Sequence, residues 1–107
     1  MALTREFKQT MVERAERDPA FAKALLDEAA TLFLNGEPET ARLILRDLVN
    51  ATVGFESLAR KTDKNGKSLH RMLSAGGNPT MDNLAIIFDA IRAALRVKLK
   101  VSAVKAA

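Results

Sequence analysis

The 107-residue chain has no cysteine, no tryptophan, no tyrosine, a single histidine and only three prolines and five glycines. Without cysteine there is no disulfide and no thiolate metal site, and His70 alone cannot build a zinc centre. The five Phe residues are the only aromatics. Lacking Tyr and Trp, the chain has no ready platform for stacking bases, which argues against a single-strand or RNA binder. No run approaches the roughly 20 uninterrupted apolar residues of a membrane span, so no membrane partner is expected. The opening Met1-Ala2-Leu3-Thr4-Arg5-Glu6 has an early acid and no apolar run behind it. It does not have the pattern of a secretory leader, and the expected compartment is the cytoplasm.

Catalytic patterns are missing as well. His70 has no Ser, Cys or carboxylate arranged around it for general-base work, so it reads as solvent-facing or phosphate-contacting. Gly76-Gly77 lacks the Lys-Ser/Thr and the preceding strand of a phosphate loop, so it reads as a helix breaker. Neither an enzyme, a cofactor nor a metal is expected.

What is present is charge, unevenly placed. Residues 1–53 hold seven Lys/Arg and nine Asp/Glu, a balance of −2, whereas residues 54–107 hold ten and four, a balance of +6. The basic half should attract a polyanion; the plainer reading is variation between solvated faces. The length fits one domain, residues 1–107, with one core.

Local signals predict an all-α domain of five to six short helices. Thr4–Arg17 reads as a first helix, with Leu3, Phe7, Met11 and Ala15 on one face. Asp18-Pro19 starts a second, to about Leu34, whose apolar stripe is Phe21, Leu25, Ala29, Leu32 and Phe33; Asn35-Gly36 stops it. Pro38 opens a third, to about Val53. Leu45, Leu48, Val49 and Thr52 face inward with Ala41 and Ile44 beside them, and Arg42, Arg46 and Asp47 lie on the other side. Short helices follow at 55–62 and 67–74, separated by the turn residues Asp63-Lys64-Asn65-Gly66. After Ala75-Gly76-Gly77-Asn78-Pro79, Thr80 caps a last helix, Met81 to about Arg96, with Leu84, Ile87, Phe88, Ile91 and Leu95 inward. Val97-Lys98-Leu99-Lys100-Val101 alternates apolar and basic, the pattern of a short strand or an extended arm, or of a continuing helix.

Residues 55–74 carry the functional signal. Two short helices joined by a tight turn need a small residue at their crossing, supplied by Ala59, and a residue tolerant of unusual φ in the turn, supplied by Asp63. Leu58, Leu69 and Met72, with Leu73 beside them, pack the pair onto the core. The outer face of the second helix then offers Lys67, Ser68, His70, Arg71 and Ser74, all donors and none acidic. Such a face suits the major groove. Lys67, Ser68, His70 and Arg71 are the candidate base-reading residues. Arg60, Lys61 and Lys64 around the turn, with Asn65, Ser74 and Asn78, are candidates for the DNA backbone, which sets register and affinity without reading sequence.

These residues resemble the helix-turn-helix of the Xre/Cro-type, lambda-repressor-like regulators. The likeness continues through the break Gly76-Gly77-Asn78-Pro79-Thr80 and the apolar Leu84-Ala85-Ile86-Ile87. With Leu3-Thr4-Arg5-Glu6-Phe7-Lys8 and Asn50-Ala51-Thr52-Val53-Gly54-Phe55, the whole chain is similar to HigA-like antitoxins, the addiction-module antidotes. Two positions depart from the broad pattern. Asp63 stands for the usual turn Gly, and Gly66 stands where relatives often place a base-reading residue or Pro. The resemblance implies a homodimer on a palindromic double-stranded operator, autorepression of a toxin–antitoxin operon, and a RelE/ParE-like toxin as partner. In that organisation residues 1–53 form a partner or dimer surface, 54–96 the helix-turn-helix core and 97–107 a tail. Two alternatives remain open, a stand-alone repressor without a toxin and a helical protein-interaction module that does not bind DNA.

Overall fold

Helix boundaries in this chain are set by side chains that satisfy the free amides and carbonyls at helix ends. The computed structural model describes residues 5–107, with side chains from Thr10 onward. The order is α1 Arg5–Arg17, α2 Pro19–Leu34, α3 Pro38–Ala51, α4 Phe55–Thr62, α5 Gly66–Met72 and α6 Met81–Leu95. Asp18 accepts from the amides of Ala20 (3.1 Å) and Phe21 (3.2 Å), and Pro19 occupies the first turn, where no amide is needed. Thr80 accepts from the Asn83 amide at 3.1 Å and starts α6 in the same way. α2 ends at Gly36, whose φ of 87° lets the Glu37 amide fold back to the Leu32 carbonyl at 2.8 Å. Among the described residues there is no strand, and no helix is long and apolar enough to cross a membrane. The class is all-α, as the local signals predict.

One apolar core runs through both halves, from Ala15 of α1 through Leu26, Leu45, Leu48, Leu58 and Leu69 to Ile87 and Ile91 of α6. The Cα radius of gyration is 13.4 Å, close to the roughly 13 Å of a compact chain this long. α1, α2 and α3 pack on one another, α4 packs on α5, and α2 and α4 both reach α6. The Phe33 and Phe88 rings meet edge to face at 5.9 Å and join α2 to α6. The Arg14 guanidinium lies 4.2 Å over the Phe21 ring and joins α1 to α2.

Several expectations are corrected. On α2 the fully buried residues are Ala22, Leu26 and Ala29, while Phe21, Leu25 and Phe33 are half-buried. This helix is apolar on several sides, so its sequence does not reveal which strip meets α1, α3 and α6; small Ala22 and Ala29 are fully buried on it. Thr52 is half-buried beyond the end of α3, its hydroxyl donating to the Leu48 carbonyl at 2.6 Å. Gly66 belongs to α5 rather than to the turn, and α5 ends at Met72, not Ser74. Ala15 of the α1 face is buried and Met11 half-buried; the expected places of Leu3 and of the Phe7 side chain lie outside the described residues. Of the readings for the tail, the extended arm is present. Arg96 takes a left-handed φ of 58° that ends α6, and Val97 and Leu99 then pack on the core.

Asp63 closes α4 at φ 56°, ψ 35°, in the left-handed region. An L-residue there carries a steric cost that glycine lacks. Asp63→Gly is therefore expected to stabilise the fold by about 0.5–1 kcal/mol, a rise of a few degrees in Tm for a domain of this size. Scanning calorimetry measures this, and a lowered Tm would show that the Asp63 side chain contributes more than its conformation costs.

Candidate nucleic-acid interface

α4 and α5 are joined by Asp63, Lys64 and Asn65 alone. A connection this short places two helices across each other. Leu58 and Leu69 are buried between them and the core, as expected from their spacing, and Ala59 is half-buried. Met72, expected to share that packing, is half-buried, and Leu73 beside it is fully buried. The reason is the helix end. Leu73 follows the last full turn, and its backbone amide still bonds to the Leu69 carbonyl at 3.2 Å, so it stands four residues after Leu69 on the same inward face.

The outward face of α5 carries Lys67, His70 and Arg71, all exposed, with no acidic residue on the helix. Their spacing of three and four sets them on one stripe. Ser68 is half-buried at the edge of that stripe and, with Arg71, Met72 and Asn78, frames a shallow hollow. His70 is not a free rotor. Its ring stacks on Phe55 at 3.8 Å between centroids with 18° between planes. The ring faces are thus directed by Phe55, and the polar edge is what remains to meet a ligand. Among the described residues no hydrogen bond to either ring nitrogen occurs.

The candidate backbone contacts divide by what they already do. Lys61 and Asn78 are exposed and Lys64 half-buried. Arg60 is exposed and pairs with Glu56 at 3.2 Å. A surface ion pair of this kind holds by at most about 1 kcal/mol and yields readily to a phosphate. Asn65 has a structural task, since its side-chain oxygen accepts from the Ser68 amide at 2.8 Å and caps α5. Only its amide NH2 is left for a partner. The Ser74 hydroxyl donates to the Arg71 carbonyl at 2.8 Å, so its proton is already engaged.

Two features support the end of α5, and only the second leaves a mark in the sequence. Arg42, expected on the outer side of α3, reaches across to the end of α5. Its Nε donates to the Ser74 carbonyl at 3.0 Å and a terminal nitrogen to the Ala75 carbonyl at 2.6 Å. Both carbonyls lie just past the helix, and charge-assisted bonds to them tie the exit of α5 to α3. The sequence holds no sign of this, because 32 residues separate the partners. The second is Gly77. A Cβ there would lie 2.4 Å from the Met72 carbonyl oxygen and 2.5 Å from that of Arg71. The chain leaving α5 thus packs backbone against backbone, and the Gly-Gly pair is the sequence signal that marks the place.

Arg42→Ala removes both charge-assisted bonds from a half-buried position. The expected cost is about 1–2 kcal/mol, with faster amide exchange over residues 69–74 and little change in α2. Arg42→Lys should restore only part of this protection, because an ammonium lacks the planar fork that spans two carbonyls. Equal exchange in all three proteins would show that Arg42 does not hold the end of α5.

No protein-family model, curated protein or solved structure matches this chain.

Proposed function

We infer that the chain is a sequence-specific, double-stranded-DNA-binding repressor. In this reading it acts as a homodimer on a palindromic operator and serves as an antitoxin that represses its own operon and binds a RelE/ParE-like toxin. The observation that carries the reading is the acid-free stripe of Lys67, His70 and Arg71 on α5, with His70 braced on Phe55 and the helix end held by Arg42. A helix face with donors at every position and no carboxylate is suited to guanine edges and phosphates in the major groove. The toxin and the operon rest on the resemblance to HigA-like antitoxins, and residues 1–53, with their net acidity, are the surface offered to a basic toxin.

The deciding experiment is a mobility-shift titration with the DNA upstream of the gene and with random duplex, across a salt series. Preferential binding to the upstream DNA is expected, falling with salt in proportion to the phosphates neutralised, about 0.9 log units of affinity per log unit of salt for each contact. Equal, salt-insensitive failure on both duplexes would remove the DNA reading. The helical protein-interaction module would then stand on the apolar groove formed by Phe33, Met81 and Leu99.

A further inference from the structure

Four of the five large apolar side chains exposed in the described chain lie together. They are Leu34 (57% exposed), Met81 (73%), Val101 (70%) and Val104 (85%). They line two adjoining grooves where the arm after α6 crosses the seam of α2 and α6; the first groove is walled entirely by apolar surface. Scattered apolar residues on a surface need no explanation, but a contiguous patch marks an interaction site. The arm itself is unfinished. Val97 and Leu99 turn inward while Lys98 and Lys100 turn outward, the two-residue period of a strand. Yet among the described residues the backbone of residues 98–107 makes no hydrogen bond. An extended segment of unpaired amides and carbonyls is a template for another extended edge.

We propose that this face is the homodimer interface, and that the arms of two copies pair antiparallel about a two-fold axis at Val101, covering Leu34 and Met81 with the partner's arm. This deepens the repressor reading, from which it takes the need for two reading helices on one operator. The occupant is a second copy because the face complements itself. It is apolar at the centre and carries both signs of charge at its margins, Asp27 and Lys100 along one groove, and along the other Lys98 with Asp89, which pairs with Arg92. It also supplies the extended edge that its own arm needs. A two-fold contact must be self-complementary in this way. Charge rules out two neighbouring registers, and Val101 is chosen as the axis because it is the exposed apolar residue of the arm that lines both grooves. An axis at Leu99 sets Lys98 against the partner's Lys100, and an axis at Lys100 sets that residue against itself; like charges directly opposite destabilise a pair. With the axis at Val101, Lys100 faces the partner's Ser102 and Leu99 faces the partner's Ala103.

The test uses the full chain without DNA. Sedimentation should give twice the chain mass for the parent protein, and half that value for Met81→Glu and for Val101→Pro. Both positions are exposed, so helical circular dichroism should not change. Because the chain has no cysteine, Val101→Cys introduces a single thiol beside its own copy on the axis, within disulfide reach. Mild oxidation should convert it to a covalent dimer many times faster than Lys61→Cys on α4. A parent protein that stays monomeric, a dimer that survives both substitutions, or equal cross-linking of the two thiols would each overturn the proposal. A dimer that binds no duplex would instead remove the repressor reading and leave this interface standing.

Discussion

Arg71→Ala should cut the preference for the upstream operator over random duplex about ten- to a hundredfold per half-site, the equivalent of about 1–3 kcal/mol for one lost bidentate base contact. Arg71 is exposed in the last turn of α5, its backbone fixed by the Ser74 hydroxyl on its carbonyl and its helix end held by Arg42. With the backbone held, the ordering cost on binding is confined to the exposed side chain itself. Binding to random duplex should fall far less, because that affinity comes from phosphates. Lys64→Ala is the contrasting variant. It removes one positive charge beside the turn, so both duplexes should weaken alike and the salt slope should drop by about one unit per copy. Mobility shifts at three or more salt concentrations separate these patterns. Arg71→Ala lowering both affinities equally would make Arg71 a phosphate contact and move base reading to Lys67 or His70.

Leu73→Ala should destabilise the fold by about 2–5 kcal/mol, whereas Met72→Ala should cost clearly less. Leu73 is fully buried where the end of α5 meets the core, and the chain around it has little freedom to collapse into a vacated space. The Gly77 backbone stands against the Arg71 and Met72 carbonyls, which fixes the chain on either side of Leu73. Met72 is half-buried, and its neighbours include solvent. For a domain whose whole stability is about 5–15 kcal/mol, Leu73→Ala removes a large fraction of it. Urea denaturation measures both variants. A larger loss for Met72→Ala would place the anchor of α5 where its sequence spacing alone suggests.

The candidate site was legible in the sequence to an uneven degree. Lys67, His70 and Arg71 share a face because helical spacing puts them there, and Asp63 was recognisable as the residue able to turn left. Asn65 was less readable, since a side chain that caps a helix and one that meets a phosphate are of the same type. Its role depended on whether α5 begins at Gly66 or Lys67. The brace of Phe55 under His70 joins residues on different helices, and no periodicity within either helix encodes it.

By itself the sequence determined the all-α class, the order of the helices with most of their caps, and which side of α5 is polar. These depend on interactions reaching no more than about four residues along the chain, such as Asp18 and Thr80 on nearby amides or Gly36 closing α2. Only the tertiary structure decided which strip of α2 is buried, that Leu73 is buried more deeply than Met72, which also packs on the core, that Arg42 reaches the chain leaving α5, and that the alternating tail lies extended across α2 and α6. Those outcomes depend on which surfaces meet once distant segments pack. An apolar helix offers several equivalent strips, and a long cation such as Arg42 has many partners within reach until the packing selects one.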